Sequence, residues 1–427
     1  MTLSIPSPET ITRAELPNGI VVLARENQAS PSIVLSGYLW AGSLSETASQ
    51  AGLASFTSGM LMRGTTGRTF GEINETLESV GAQLGFAAGV HTTGFGGKAL
   101  AEDLDLLLDI LDDCLEHPIF PVPEVEKLRG QILTSLQRRA YDTQRMASLA
   151  FDALLWPNHP YGRAVQGYEE TIPGLSRDDV AGFYQHHYSP QGMVLAIVGA
   201  VPAEAVLEQV RTRLGGWLAP GASPDRSIPP PVRLDERRRR AVAVPGKTQS
   251  DIVMGWPGLA RTDADYRKAH LTNTVLGVFG MMGRLGNNIR DDQGLAYYVY
   301  SHLEAGQGQG SWAVVAGVDP ANVERTVESI CLEVRRLRDE PVLAEELADS
   351  QSYLTGSMPL RLETNEGVAR TLLDMECYGL GFDYLQRFPG LVNAVTMEDL
   401  REMAHKYLDP DTYVLAVAGP ADQVGGS

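Results

Sequence analysis

This 427-residue chain contains two copies of one segment, and a chain that repeats itself at a fixed offset folds as related units. Leu175-Ser176-Arg177-Asp178-Asp179-Val180 is followed by Ser189-Pro190 and then by Val194-Leu195-Ala196-Ile197-Val198-Gly199. Val395-Thr396-Met397-Glu398-Asp399-Leu400 is followed by Asp409-Pro410 and Val414-Leu415-Ala416-Val417-Ala418-Gly419. Every matched pair lies 220 residues apart, over a run of 25 positions. The physical reading is the same in both copies. Ser176 and Thr396, each with an Asp three positions on, are helix N-cap signatures, and the Pro and apolar run beyond each helix predict a β-strand.

Between the copies, residues 215–232 hold five prolines and three glycines among 18, a composition that predicts a linker. The predicted domains are therefore 1–220 and 236–427, joined by 221–235. The Arg237 to Arg240 run just after it reads as a solvated entry to the first strand of the second half. Pro17-Asn18-Gly19 between the apolar stretches 11–16 and 20–25 predicts a hairpin. Residues 32–38, 252–256 and 312–318 read as strands. Helical periodicity covers 101–115, 124–141, 203–214, 321–337, 344–361 and 365–378. Grouped strands between long helices predict an α+β chain: two homologous domains, each a largely antiparallel sheet packed with helices.

Composition excludes several classes. The 35 basic and 53 acidic residues leave a net charge of −18, which disfavours nucleic acid and anionic membrane surfaces and permits basic peptides. Cys114, Cys331 and Cys377 are odd in number and lack Cys-x-x-Cys spacing, so they predict reduced apolar filler rather than a disulfide framework or metal site. Nothing resembles a signal peptide in residues 1–9, and no stretch reaches about 18 uncharged apolar residues. The expected compartment is the cytoplasm.

Five segments carry a resemblance. Gly52-Leu53-Ala54-Ser55-Phe56-Thr57-Ser58-Gly59-Met60-Leu61-Met62-Arg63-Gly64-Thr65 is on its own an ordinary amphipathic core helix. It is joined by His159-Pro160-Tyr161-Gly162-Arg163 with Glu169-Glu170-Thr171-Ile172, and by Phe183-Tyr184 through Tyr188-Ser189-Pro190. In the second half come Gly283-Arg284-Leu285 with Ile289-Arg290 and Gly294-Leu295-Ala296-Tyr297, then Gly356-Ser357 with Pro359-Leu360-Arg361-Leu362. As an ordered set these resemble the pitrilysin, insulin-degrading enzyme and mitochondrial processing peptidase family. The resemblance implies half of a four-domain clamshell, which needs a second half.

In that family the first segment carries His-x-x-Glu-His, two imidazoles one turn apart on zinc with the Glu as general base. Here Ser55 and Gly59 stand where the two His would be and Ser58 where the Glu would be. The third ligand of the family, a Glu some 75 residues on, falls at Thr134 or Ser135. All four functions are missing together, so the resemblance implies a subunit that binds no zinc at Ser55, Ser58, Gly59 and Ser135. No other histidines have ligand spacing: His186 and His187 are adjacent, and His91, His117, His159, His270, His302 and His405 are scattered. Arg290 and Tyr297 are retained. At this seven-residue spacing the family uses an Arg and a Tyr to bind the peptide and stabilise its oxyanion, chemistry suited to a guanidinium and a phenol. Read without the family, they are a helix-end cation and a packed strand aromatic.

The resulting expectation is a catalytically incomplete subunit of a heterodimeric zinc metallopeptidase. Its partner would be a homologue with the intact His-x-x-Glu-His and the zinc, its substrate a peptide or unfolded polypeptide. The alternative is a non-enzymatic scaffold or peptide-binding homodimer. No cofactor is expected in this chain.

Overall fold

A computed structural model of the chain describes residues 5–218, 226–278 and 283–420. The predicted linker lies partly outside these residues, at 221–225, while 226–235 runs without regular structure. Residues 1–4 of the segment read for a signal peptide also lie outside them.

Two sheets organise the chain. The first holds β1 (Thr12–Glu15), β2 (Val21–Glu26), β3 (Ser32–Leu39), β4 (Gln83–Ala88), β5 (Thr93–Leu100) and β6 (Val194–Gly199), in the order β1-β2-β6-β3-β5-β4. The second holds β7 (Arg238–Ala243), β8 (Ser250–Pro257), β9 (Ala296–Leu303), β10 (Ser311–Val318) and β11 (Val414–Gly419), in the order β7-β11-β8-β10-β9. Only β2–β6 and β7–β11 pair in parallel; every other named pair is antiparallel. Without β1, the two orders superimpose strand for strand, with β6 matching β11 at the 220-residue offset. The fold is the α+β arrangement predicted from the repeat, and Ser176 and Thr396 each form a complete capping box with the Asp three residues on. The hairpin turn joins β1 and β2 through Gly19, whose φ of +89° suits a residue without Cβ.

Strands β6 and β11 are buried at all six positions, so each sheet has apolar residues on both faces and both must be covered. In the second sheet Ile252, Met254 and Trp256 of β8 face a layer that includes helices Tyr266–Gly277, Val323–Asp339 and Met397–Tyr407. Val253 points the other way, with Val315, Val414 and Ala416, onto Ala147, Ala150, Phe151 and Leu155 of helix Thr143–Leu155. In the first sheet Val21, Leu23, Val34, Val194 and Val198 pack on Val368, Ala369, Leu372 and Met375 of helix Asn365–Cys377.

One face of each sheet is covered by a helix from the opposite half of the sequence, Asn365–Cys377 on the first and Thr143–Leu155 on the second. The compact units are accordingly Met1–Thr134, Ala164–Ser227 and Met358–Arg387 for one, and Ser135–Arg163, Ile228–Ser357 and Phe388–Ser427 for the other. The two helices align with one another at an offset of 222, Ala147 with Ala369 and Asp152 with Asp374. The exchange is thus part of the repeat.

Candidate functional site

Helix Leu53–Met60 begins at Gly52, whose φ of +100° and close approach to Gly167 and Ile172 leave no room for a side chain. Its first amides are held by a buried carboxylate: Gly52 N and Ala54 N donate to Glu46 at 3.1 and 2.6 Å. An anion at this end is favoured by the helix dipole. Neither Glu46 nor its role could be read from the motif spacing.

Ser58 is buried and fully used. Its hydroxyl donates to the Ser55 carbonyl at 2.9 Å and accepts from Ala88 N at 3.1 Å, tying the helix to the end of edge strand β4. Ser55 is half-buried. At Gly59 a Cβ would lie 3.0 Å from Leu128 Cδ2, so an apolar side chain borders the place where the family's second imidazole would start. On helix Val122–Ala140, Thr134 and Ser135 are exposed, and the Thr134 hydroxyl bonds back to the Gly130 carbonyl at 2.8 Å. A neutral hydroxyl already spent on the backbone, a glycine and a leucine do not fit zinc, which takes thiolate, imidazole or carboxylate ligands. Among the described residues no group of three or more His, Cys, Asp or Glu is placed to hold a metal ion. His159 accepts from Tyr161 N at 3.1 Å and packs between Trp156 and Tyr161, while the His186 ring bonds the Gly182 carbonyl at 2.6 Å.

The second unit presents Arg290 and Tyr297 differently. Arg290 lies half-buried in a π-helical turn, Gly286–Asp292, anchored by buried Ile289. Such turns are rare and concentrate at functional sites. Gln293 braces the turn, donating to Asn288 at 2.7 Å and Ser329 at 3.1 Å, and Asn288 in turn bonds the buried Glu333 carboxylate. Gly294, at φ +61°, then swings the chain into β9.

Strand β9 is the edge of its sheet, and its pairing slips where Tyr297 sits. Tyr298 faces Gly317 and Ala296 faces Val318, so Tyr297 is the extra residue of a bulge. Its ring is 83% exposed. Bulges re-aim side chains, and they recur beside active sites. The neighbouring tyrosines are structural by contrast: the Tyr298 phenol donates to buried Asp251, and Tyr300 accepts from Gln144 at 3.1 Å. Burial, reinforced by Asp251, pushes the Tyr298 phenol well above its usual range.

The sequence profile of the insulinase family, peptidase family M16, matches residues 21–167, and the profile of the peptidase M16 inactive domain matches 174–354. The chain belongs to peptidase family M16. Among its M16 relatives is an uncharacterized zinc protease of Streptomyces coelicolor, 28% identical over 420 residues, covering 96% of this chain and 90% of the relative. The beta subunit of the Bos taurus mitochondrial-processing peptidase is 24% identical over 433 residues, covering 98% and 86%. A crystal structure of a peptidase M16 inactive domain from Pseudomonas fluorescens superimposes with a TM-score of 0.88 at 24% identity, covering 96% of this chain and 98% of that one, and shares the fold. Among the described residues no helix is long and apolar enough to cross a membrane.

Proposed function

We propose that this M16 chain is the zinc-free subunit of a two-chain metallopeptidase. In this reading Arg290 and Tyr297 bind an extended peptide and stabilise its oxyanion, while a homologous partner carrying His-x-x-Glu-His supplies zinc and general base. The observation that carries it is Tyr297, an aromatic left 83% exposed at the bulge of an edge strand, where packing gives it no task. An exposed phenol on a rigid strand is a donor free to meet developing negative charge. Arg290, seven residues earlier, belongs to a turn braced by the Gln293 and Asn288 network, which fixes the backbone from which its guanidinium reaches. The spent hydroxyl of Ser58 and the Leu128 contact at Gly59 support placing the metal chemistry elsewhere. One relative is itself named as a subunit of a processing peptidase, in keeping with a two-chain arrangement. The expected compartment is the cytoplasm.

The test is steady-state turnover of the reconstituted pair with Tyr297→Phe or Arg290→Ala in this chain and a wild-type partner, once equal complex formation is confirmed. Loss of one oxyanion donor is expected to lower kcat by about 10² to 10³, or roughly 2.7–4 kcal/mol. Stability of Tyr297→Phe should stay within about 0.5 kcal/mol, as for other exposed positions. Unchanged kcat in both variants would leave the scaffold or peptide-binding homodimer as the better account.

A further inference from the structure

The π-turn that carries Arg290 is bound by a single stripe of helix Val323–Asp339. Arg325, Ser329 and Glu333 lie four residues apart, so helical periodicity stacks them on one face. All three reach the turn. Arg325 Nη2 donates to Gln293 Oε1 at 3.2 Å, Ser329 Oγ accepts from Gln293 Nε2 at 3.1 Å, and Glu333 Oε1 accepts from Asn288 Nδ2. Ser329 spends its own proton on the Arg325 carbonyl at 2.9 Å, so toward Gln293 it can only accept. Gln293 Nε2 gives its other proton to Asn288 Oδ1 at 2.7 Å, and both amides are thereby held in one orientation. The backbone completes the link. Gln293 N donates to the Arg290 carbonyl, as does Gly294 N at 3.1 Å.

Glu333 is wholly buried, its Oε2 has no hydrogen-bond partner among the described residues, and the cation beside it, Arg336 at 3.0 Å, is exposed. Taking a carboxylate out of water is costly, and an ion pair to an exposed side chain offsets little of that cost. Stability alone therefore does not account for it. A carboxylate beside a guanidinium can only accept, so Glu333 makes Asn288 turn its amide NH₂ toward the helix and its oxygen toward Gln293. We propose that Glu333 is a positioning residue for Arg290: it does not meet substrate, but through Asn288 and Gln293 it holds the turn in its π form and sets the direction in which the guanidinium reaches. A π-turn closes over one residue more than an α-turn, and one residue is about 100° of helix rotation. Relaxation to the α form would re-aim Arg290. The proposal deepens the assisting-subunit reading and rests on it for its effect on turnover.

Two variants break the relay at opposite ends. Glu333→Leu removes the acceptor, and Asn288→Asp replaces the donor by an acceptor of the same shape. Hydrogen–deuterium exchange of the full chain reads the turn directly: exchange at 286–295 is expected to speed at least about tenfold in both variants, the size of a lost hydrogen bond to a charged group. Helices 143–155 and 365–377 should exchange as in wild type. In the reconstituted pair with a wild-type partner, kcat should fall about 10- to 100-fold with KM little changed, the scale for losing a group that orients a reacting one. In an Arg290→Ala background the same variants should lower kcat no further, a non-additivity that a merely structural Glu333 would not produce. Glu333→Gln, which still offers Asn288 an oxygen, should recover most of both signals. Wild-type exchange at 286–295 in both variants overturns the proposal whatever turnover does, and so do losses that add to that of Arg290→Ala. An inert Arg290→Ala alongside fast exchange at 286–295 would instead remove the assisting-subunit reading and leave Glu333 as the residue that holds the turn.

Discussion

The two units share a strand order and an exchanged covering helix, and they part company at one edge of each sheet. At the β4 edge, Ser58 spends its hydroxyl on Ser55 and Ala88, and Gly59 meets Leu128. At the β9 edge, a bulge lifts Tyr297 into solvent behind a braced π-turn that carries Arg290. At one edge Ser58 helps hold the fold together, while at the other the Tyr297 phenol is left outside the packing. Repeated architecture therefore preserves a frame, while the side chains presented at its edges differ from one copy to the other.

The shared part of the comparison is tested most severely by cutting the chain. Residues 1–220 and 236–427, made separately, are expected not to unfold cooperatively, because each sheet loses the helix that seals one apolar face. For the first sheet, burial of Val368, Leu372 and Met375 at about 1.5–3 kcal/mol each amounts to roughly 5–9 kcal/mol. That equals the net stability of many whole domains. Circular dichroism melts of each half alone and of the co-expressed pair check this; a cooperative transition in either isolated half would break the idea that the exchange is essential.

The differing edges predict a smaller effect. Gly59→His asks an imidazole to grow where Leu128 Cδ2 lies 3.0 Å from the new Cβ, and overpacking of this kind costs about 1–3 kcal/mol. Urea unfolding should show that loss and a partial recovery when Leu128→Ala is added. A Gly59→His chain as stable as wild type would mean the β4 edge has kept room for a ligand.

A pH-dependent effect sharpens the contrast between the covering helices. Asp152, on the helix over the second sheet, has its carboxyl raised to about 7 by burial and then by the Glu304 charge. A carboxyl whose folded pKa is raised holds its proton more tightly when folded, so its contribution is full below the unfolded value of 3.8 and is lost as pH rises through about 7. Asp152→Asn should therefore flatten stability between about pH 4 and pH 7 and stabilise the chain more at pH 8 than at pH 5. Equal effects at both pH values would count against a protonated Asp152.

Much of this was legible beforehand. The capping boxes at Ser176 and Thr396, the hairpin at Gly19 and most helix positions follow from local chemistry, because N-caps, turns and amphipathic faces are encoded within a few residues. The helix exchange was not, since Ala147 and Phe151 read as one face of an amphipathic helix whichever sheet they cover. Ser58 likewise reads as a lost general-base position, and only its distance to Ala88 N makes it a tie between helix and strand.

The sequence by itself determined that there are two related units, which family pattern they follow and that the residue types for zinc are missing from Ser55, Ser58 and Gly59. Tertiary structure alone decided which helix seals which sheet, that Tyr297 rather than Tyr298 faces solvent, and that Glu333 lies buried against the turn that carries Arg290. The physical reason is range. Caps, turns and periodicity act over a few residues, whereas a one-residue bulge or a contact between Asn288 and Glu333 depends on backbone brought together from distant parts of the chain.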